Sequence, residues 1–90
     1  MIELGGNIKL DKFEALEPAL LIVVKKVVGN YTKKISESLQ DFKGIIVTLE
    51  DKQENIIKVK VTADKTYEAE AREKNLFFAL DKALGAILKQ

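Results

Sequence analysis

The 90-residue sequence contains no cysteine, no histidine and no tryptophan. Without cysteine there is no disulfide, no thiol nucleophile and no thiolate metal site. Without histidine the usual general base and the commonest metal ligand are both missing. Arg72 is the only arginine, so bidentate guanidinium clamps for phosphate are scarce. Long apolar runs are absent too. The longest, Ala19 to Val24, falls far short of the roughly 20 residues a transmembrane helix needs. The opening segment Met1 to Leu10 has neither the basic start nor the apolar stretch of a secretory signal. These absences lead to the expectation of a non-enzymatic protein with no cofactor, no metal, no small-molecule substrate and no membrane. The lack of cysteine agrees with a cytoplasmic location.

Hydrophobic residues make up 47% of the chain and charged residues 32%, an ordinary balance for a globular protein. At this length the expectation is a single domain spanning residues 1–90. Ile2 and Leu4, then Ile8 and Leu10, alternate with Glu3 and Lys9, which reads as an opening strand interrupted at Gly5-Gly6-Asn7. Asp11 to Glu17 reads as a short helical turn or loop anchored by Phe13 and Leu16. Pro18 suits the first position of a helix, where its missing N–H costs nothing. From there to about Leu39, Leu20, Val24, Val27/Val28, Tyr31 and Ile35 recur at helical spacing. Gly29-Asn30 lies in the middle and marks a candidate kink or break.

Three strand patterns follow. Ile45, Val47 and Leu49 share one face of Gly44 to Leu49, and Glu50 to Asn55 is a polar hairpin loop. Ile57, Val59, Val61 and Ala63 alternate with Lys58, Lys60 and Thr62. After the short link Asp64-Lys65, Tyr67, Ala69 and Ala71 alternate with Glu68, Glu70 and Arg72. Asn75 is a candidate N-cap for a last helix to Lys89, whose buried stripe is Leu76, Leu80, Ala83/Leu84 and Ile87. The expected architecture is therefore α+β, in the order β-α-β-β-β-α. It is a four-stranded mixed sheet with both helices packed on one face and the other face open.

The net charge of +1 conceals a segregation. Residues 18–36 hold Lys25, Lys26, Lys33 and Lys34 and no acid; residues 74–90 hold Lys74, Lys82 and Lys89 against Asp81. The first four recur on one side of their helix. A second helix lying antiparallel beside it would extend that surface with Lys82 and Lys89. An array of this kind suits a phosphate backbone, although for the lysines of one helix alone a solvated helix face is the simpler explanation. Lys58 and Lys60 can pair across the sheet with Glu68 and Glu70. Ile22, Val23 and Phe78 fall outside the buried stripes, which makes them extra core or a partner surface. Asp11, Glu14 and Glu17 cluster at the first helix start, where favourable helix-end electrostatics accounts for them.

Read together, these segments resemble the ribosome hibernation promoting factors, also called ribosome-associated translation inhibitors. Gly5-Gly6-Asn7-Ile8-Lys9-Leu10-Asp11 is similar to that family's opening strand, commonly G-R-N-I-E-I-T. Pro18-Ala19-Leu20, then Lys25-Lys26 and Tyr31, resembles its first helix, and Ile57–Ala63 with Tyr67–Glu73 its central hairpin. The most specific match is Phe77-Phe78-Ala79-Leu80-Asp81-Lys82-Ala83, which resembles Y-A-A-I-D at the start of its last helix. The chain departs from the pattern at Gly6, where a basic residue is common, and in the extra segment Asp11 to Glu17. The resemblance implies a stress-responsive protein that binds small-subunit rRNA near the decoding channel, hibernates ribosomes and inhibits translation by occlusion. RNA-contacting residues would be Lys25, Lys26, Lys82 and Lys89 first, then Lys33 and Lys34. Two alternatives stay open: a small homo-oligomeric interaction module using Ile22, Val23 and Phe78, and a generic double-stranded RNA-binding domain.

Overall fold

A computed structural model describes residues 1–90. The chain begins with a tight hairpin, β1 (Ile2–Leu4) and β2 (Ile8–Asp11). Gly5 has φ 69°, a conformation that L side chains rarely adopt, and it turns the chain back on itself. The turn pairs Ile2 with Leu10 and Leu4 with Ile8, so both halves of the opening apolar alternation reach the same face. Here the structure corrects the expected strand count. The sheet has five strands in the order β1-β2-β3-β4-β5, because the opening segment is two strands and not one.

A 3-10 turn at Phe13–Ala15 follows β2 and buries Phe13 and Leu16. Helix α1 (Pro18–Ser38) then crosses the sheet to β3 (Gly44–Asp51). It is continuous through Gly29-Asn30, and its buried line is Val24, Val28, Thr32 and Ile35. Strands β4 (Ile56–Thr62) and β5 (Thr66–Arg72) complete the sheet, and α2 (Leu76–Leu88) closes the chain. The Asn75 side chain caps α2 by accepting from the Phe77 and Phe78 N–H groups at 2.7 and 3.4 Å, a cap of about 1 kcal/mol.

β2 pairs parallel with β3; every other neighbour is antiparallel. The register lines up Ile8, Ile45, Val61 and Tyr67 in one row and Leu10, Val47, Val59 and Ala69 in the next. Leu49, Ile57 and Ala71 form a third. These rows carry the covered face, and the helices bring Val24, Val28, Ile35, Ala79, Leu80, Ala83, Leu84 and Ile87 onto it. α2 approaches β4 and β5 closely. Small residues on both sides, Ala69 and Ala71 below and Ala79 and Ala83 above, leave room for that approach.

The helices run in the same direction, not antiparallel as the sequence suggested. β3 and β5 point the same way, being separated by two antiparallel steps. α1 leaves from the far end of β2, α2 from the far end of β5, and each returns along the sheet. Their C-terminal ends accordingly meet the same sheet margin. The Gln40 carbonyl just after α1 accepts from Asp64 N–H at 3.0 Å, and the Gln90 amide after α2 donates to the Glu68 carbonyl at 2.9 Å.

Gly29 sits in a continuous helix, and a Cβ there would meet nothing within 4 Å. Gly29→Ala should therefore raise unfolding stability by about 0.5–1 kcal/mol, read as a higher urea midpoint with an unchanged slope.

Candidate nucleic-acid interface

The outer surface of the helical layer carries both apolar side chains and lysines. Leu20, Ile22 and Val23 on the first turns of α1 are 36%, 64% and 44% exposed, and Phe78 on the first turn of α2 is 67% exposed. Leu20, Ile22 and Val23 precede the lysines along α1, whereas Phe78, three residues before Asp81, stands near the level of Val28, between Lys26 and Lys33. Lys26, Lys33, Lys34, Lys82 and Lys89 are all exposed, whereas Lys25 is half-buried.

Tyr31 joins the two helices. Its hydroxyl donates to Asp81 Oδ1, which fixes the level at which α1 and α2 meet. Lys33 and Lys34 consequently stand close to the level of Lys82, with Lys89 further toward the C-terminal end at about 1.5 Å per residue. Lys34 Nζ lies 5.6 Å from the centre of the Tyr31 ring, within cation–π range. A shallow groove of about 490 Å³ runs beside this junction, lined by Tyr31, Asp81, Lys82, Gly85, Ala86 and Lys89. A Cβ at Gly85 would sit 4.0 Å from the Tyr31 hydroxyl oxygen.

Of the six lysines singled out from the sequence, only Lys82 has a carboxylate partner, Glu73 at 3.0 Å. The other ion pairs join the N-terminus to Glu14, Lys58 to Glu68 at 3.8 Å and Arg72 to Glu54 at 4.0 Å. Lys25, Lys26, Lys33, Lys34 and Lys89 have no carboxylate within 4.0 Å. Exposed ammonium groups of this kind are available to phosphate and release counterions on binding it. The structure brings Lys34, Lys82 and Lys89 around the Tyr31–Asp81 junction, while Lys33, two residues on from Tyr31, projects from another side of α1. Lys26 stands nearer the start of α1, and Lys25 is half-buried on the helix flank beside the buried line.

The Tyr31–Asp81 contact escaped sequence reading because its partners are 50 positions apart and Tyr31 reads simply as part of the buried stripe. The acidic cluster near α1 serves the fold. Glu14 accepts from the N-terminal ammonium, and that contact pulls its carboxyl below the ordinary range. No group of three or more carboxylates is arranged to hold a metal ion. No helix is long and apolar enough to cross a membrane.

No protein-family model and no curated protein sequence matches this chain. Solved structures do. The N-terminal domain of Protein Y from Thermus thermophilus superposes with a TM-score of 0.69 at 15% identity, covering 94% of both chains. A ribosomal subunit interface protein from Coxiella burnetii superposes with a TM-score of 0.61 at 18% identity, over 94% of this chain and 92% of that one. The chain therefore has the α+β fold of these two proteins along almost its whole length. This is the fold that the resemblance in sequence motifs implies.

The hydrogen bond to Asp81, with burial and the carboxylate charge acting in the same sense, pushes the Tyr31 hydroxyl up to about 12 from its ordinary 10.0. The folded protein holds the phenolic proton more tightly than the unfolded chain does. This stabilisation is complete below pH 10.0 and is lost as pH rises through about 12. Tyr31→Phe should flatten that alkaline loss relative to the parent protein, measured by urea denaturation across the same window.

Proposed function

We propose that this protein is a non-catalytic ribosome-associated factor of the cytoplasm. It binds small-subunit rRNA near the decoding channel and silences translation by occupying space that mRNA and tRNA need. Residues 1–90 act as one ribosome-binding domain. The observation that carries this reading is the near-complete structural likeness to a ribosomal subunit interface protein and to the Protein Y domain. The electrostatics support it. Lys26, Lys33, Lys34 and Lys89 supply exposed positive charge, Lys82 adds to it beside Glu73, and Lys25 contributes from the flank. Lysine suits this kind of contact, because a point-like ammonium on a flexible stem neutralises phosphates without demanding a fixed geometry. The packed sheet beneath supplies a rigid shape, and shape is a principal means by which proteins recognise structured RNA. No chemistry on a bound substrate is required.

Co-sedimentation with small ribosomal subunits tests the reading. Binding at low salt should weaken steadily as salt is raised. Lys26→Glu with Lys33→Glu should lower it by about tenfold or more while the thermal midpoint stays close to that of the parent. A protein that remains in the supernatant at low salt defeats the proposal.

One observation favours a second reading. Ile22, Val23 and Phe78 expose large apolar side chains on the helical layer, as an interaction module or homo-oligomer would. Light scattering on the parent and on Phe78→Asp decides it. A dimer mass that falls to the monomer in the variant supports the module, and a monomeric parent removes it.

A further inference from the structure

The sheet face turned away from the helices has a cationic feature of its own. Lys9, Ile46 and Lys60 stand opposite one another on it across β2, β3 and β4. Where β3 begins, beneath the β1–β2 turn, lies a cavity of about 220 Å³ lined by Gly6, Asn7, Lys9, Lys43, Gly44 and Thr62 together with Ile45 and Ile46. No acidic side chain lines it. Glu3 is opposite Lys9 in the β1–β2 ladder, yet neither Lys9 nor Lys43 has a carboxylate within 4.0 Å. The Asn7 amide and the Thr62 hydroxyl are likewise free of intramolecular hydrogen bonds.

The floor of this cavity is built firmly. The Asn7 carbonyl accepts from Ile45 N–H at 2.9 Å, which ties the turn to β3. Gly44 is what permits the approach, since a Cβ there would lie 3.2 Å from that same carbonyl oxygen. Lys43 N–H donates to the Thr62 carbonyl at 2.8 Å, which holds the opposite wall. Lys9 is half-buried between its neighbours, so much of the entropy of ordering its stem is already lost. Two lysines, an asparagine and a threonine thus line a space to which no acidic side chain contributes. This is a donor set for a phosphate oxyanion.

We propose that this cavity seats a backbone phosphate of an RNA strand lying over the open sheet face, on the opposite side of the molecule from the helix lysines. The protein would then grip RNA from two sides. The inference deepens the ribosomal reading, because it needs an RNA partner, but its test needs no ribosome.

The test is an amide NMR titration at low salt with inorganic phosphate and, separately, with a short single-stranded RNA. Both ligands should move the Gly6, Asn7, Gly44, Ile45 and Thr62 signals. Lys9→Gln with Lys43→Gln should weaken RNA binding at these signals by about tenfold. Gly6→Glu should do the same: a side chain at this position meets nothing within 4 Å, so the variant keeps its fold while placing a carboxylate at the rim. Shifts confined to α1 and α2, equal affinity in both variants, or phosphate binding without RNA binding would each overturn the proposal. Should the protein fail to sediment with ribosomes while these signals still respond to RNA, the ribosomal reading falls and the cavity assignment stands. Sedimentation with silent cavity signals gives the reverse.

Discussion

Parallel pairing between β2 and β3 is the constraint from which the rest of this architecture follows. Two parallel neighbours cannot be joined by a turn, so the chain must cross the sheet between them. Helix α1 is that crossing. Its return delivers Val24, Val28 and Ile35 onto rows of Ile, Val and Leu whose side chains are almost wholly buried. β5 points the same way as β3, so α2 has to return along the sheet in the same sense as α1. The common direction of the helices is thus decided by strand pairing and not by any contact between the helices themselves.

That common direction organises the outer surface. Each helix begins with exposed apolar residues and carries its lysines later, and parallel alignment keeps that order the same on both helices. The Tyr31–Asp81 hydrogen bond then sets how far one helix is advanced along the other. The direction of both helices is thus set by the topology of the sheet beneath them, although no residue of the sheet belongs to the outer surface.

Much of this was legible from local pattern. The helix start at Pro18, the Asn75 cap, the buried stripe of α2 and the three antiparallel strands all follow from spacing and from residues with strong positional preferences. What stayed hidden depends on geometry that spacing does not encode. Gly5-Gly6-Asn7 reads equally as a bulge or a reversal, and only the φ of 69° at Gly5 makes it a turn and adds a fifth strand. Gly29-Asn30 suggested a break, but Val28 and Thr32 on either side are anchored in the core, and tertiary burial outweighs the weak preference of one glycine. Of the six lysines, five are exposed as their spacing implies. The pairing of Lys82 with Glu73 spans the loop into α2, and helical periodicity could not reveal it.

The opening hairpin also governs how the sheet meets its surroundings. Without β1 the margin of the sheet would be β2, whose apolar alternation and free backbone groups would invite another strand to add on. β1 covers that margin and leaves an outer rim only three residues long. At the opposite margin β5 is longer and carries Glu68, Glu70 and Arg72 on its open face. One rim is guarded by brevity and the other by charge, two devices by which an edge strand is kept from pairing with a foreign one.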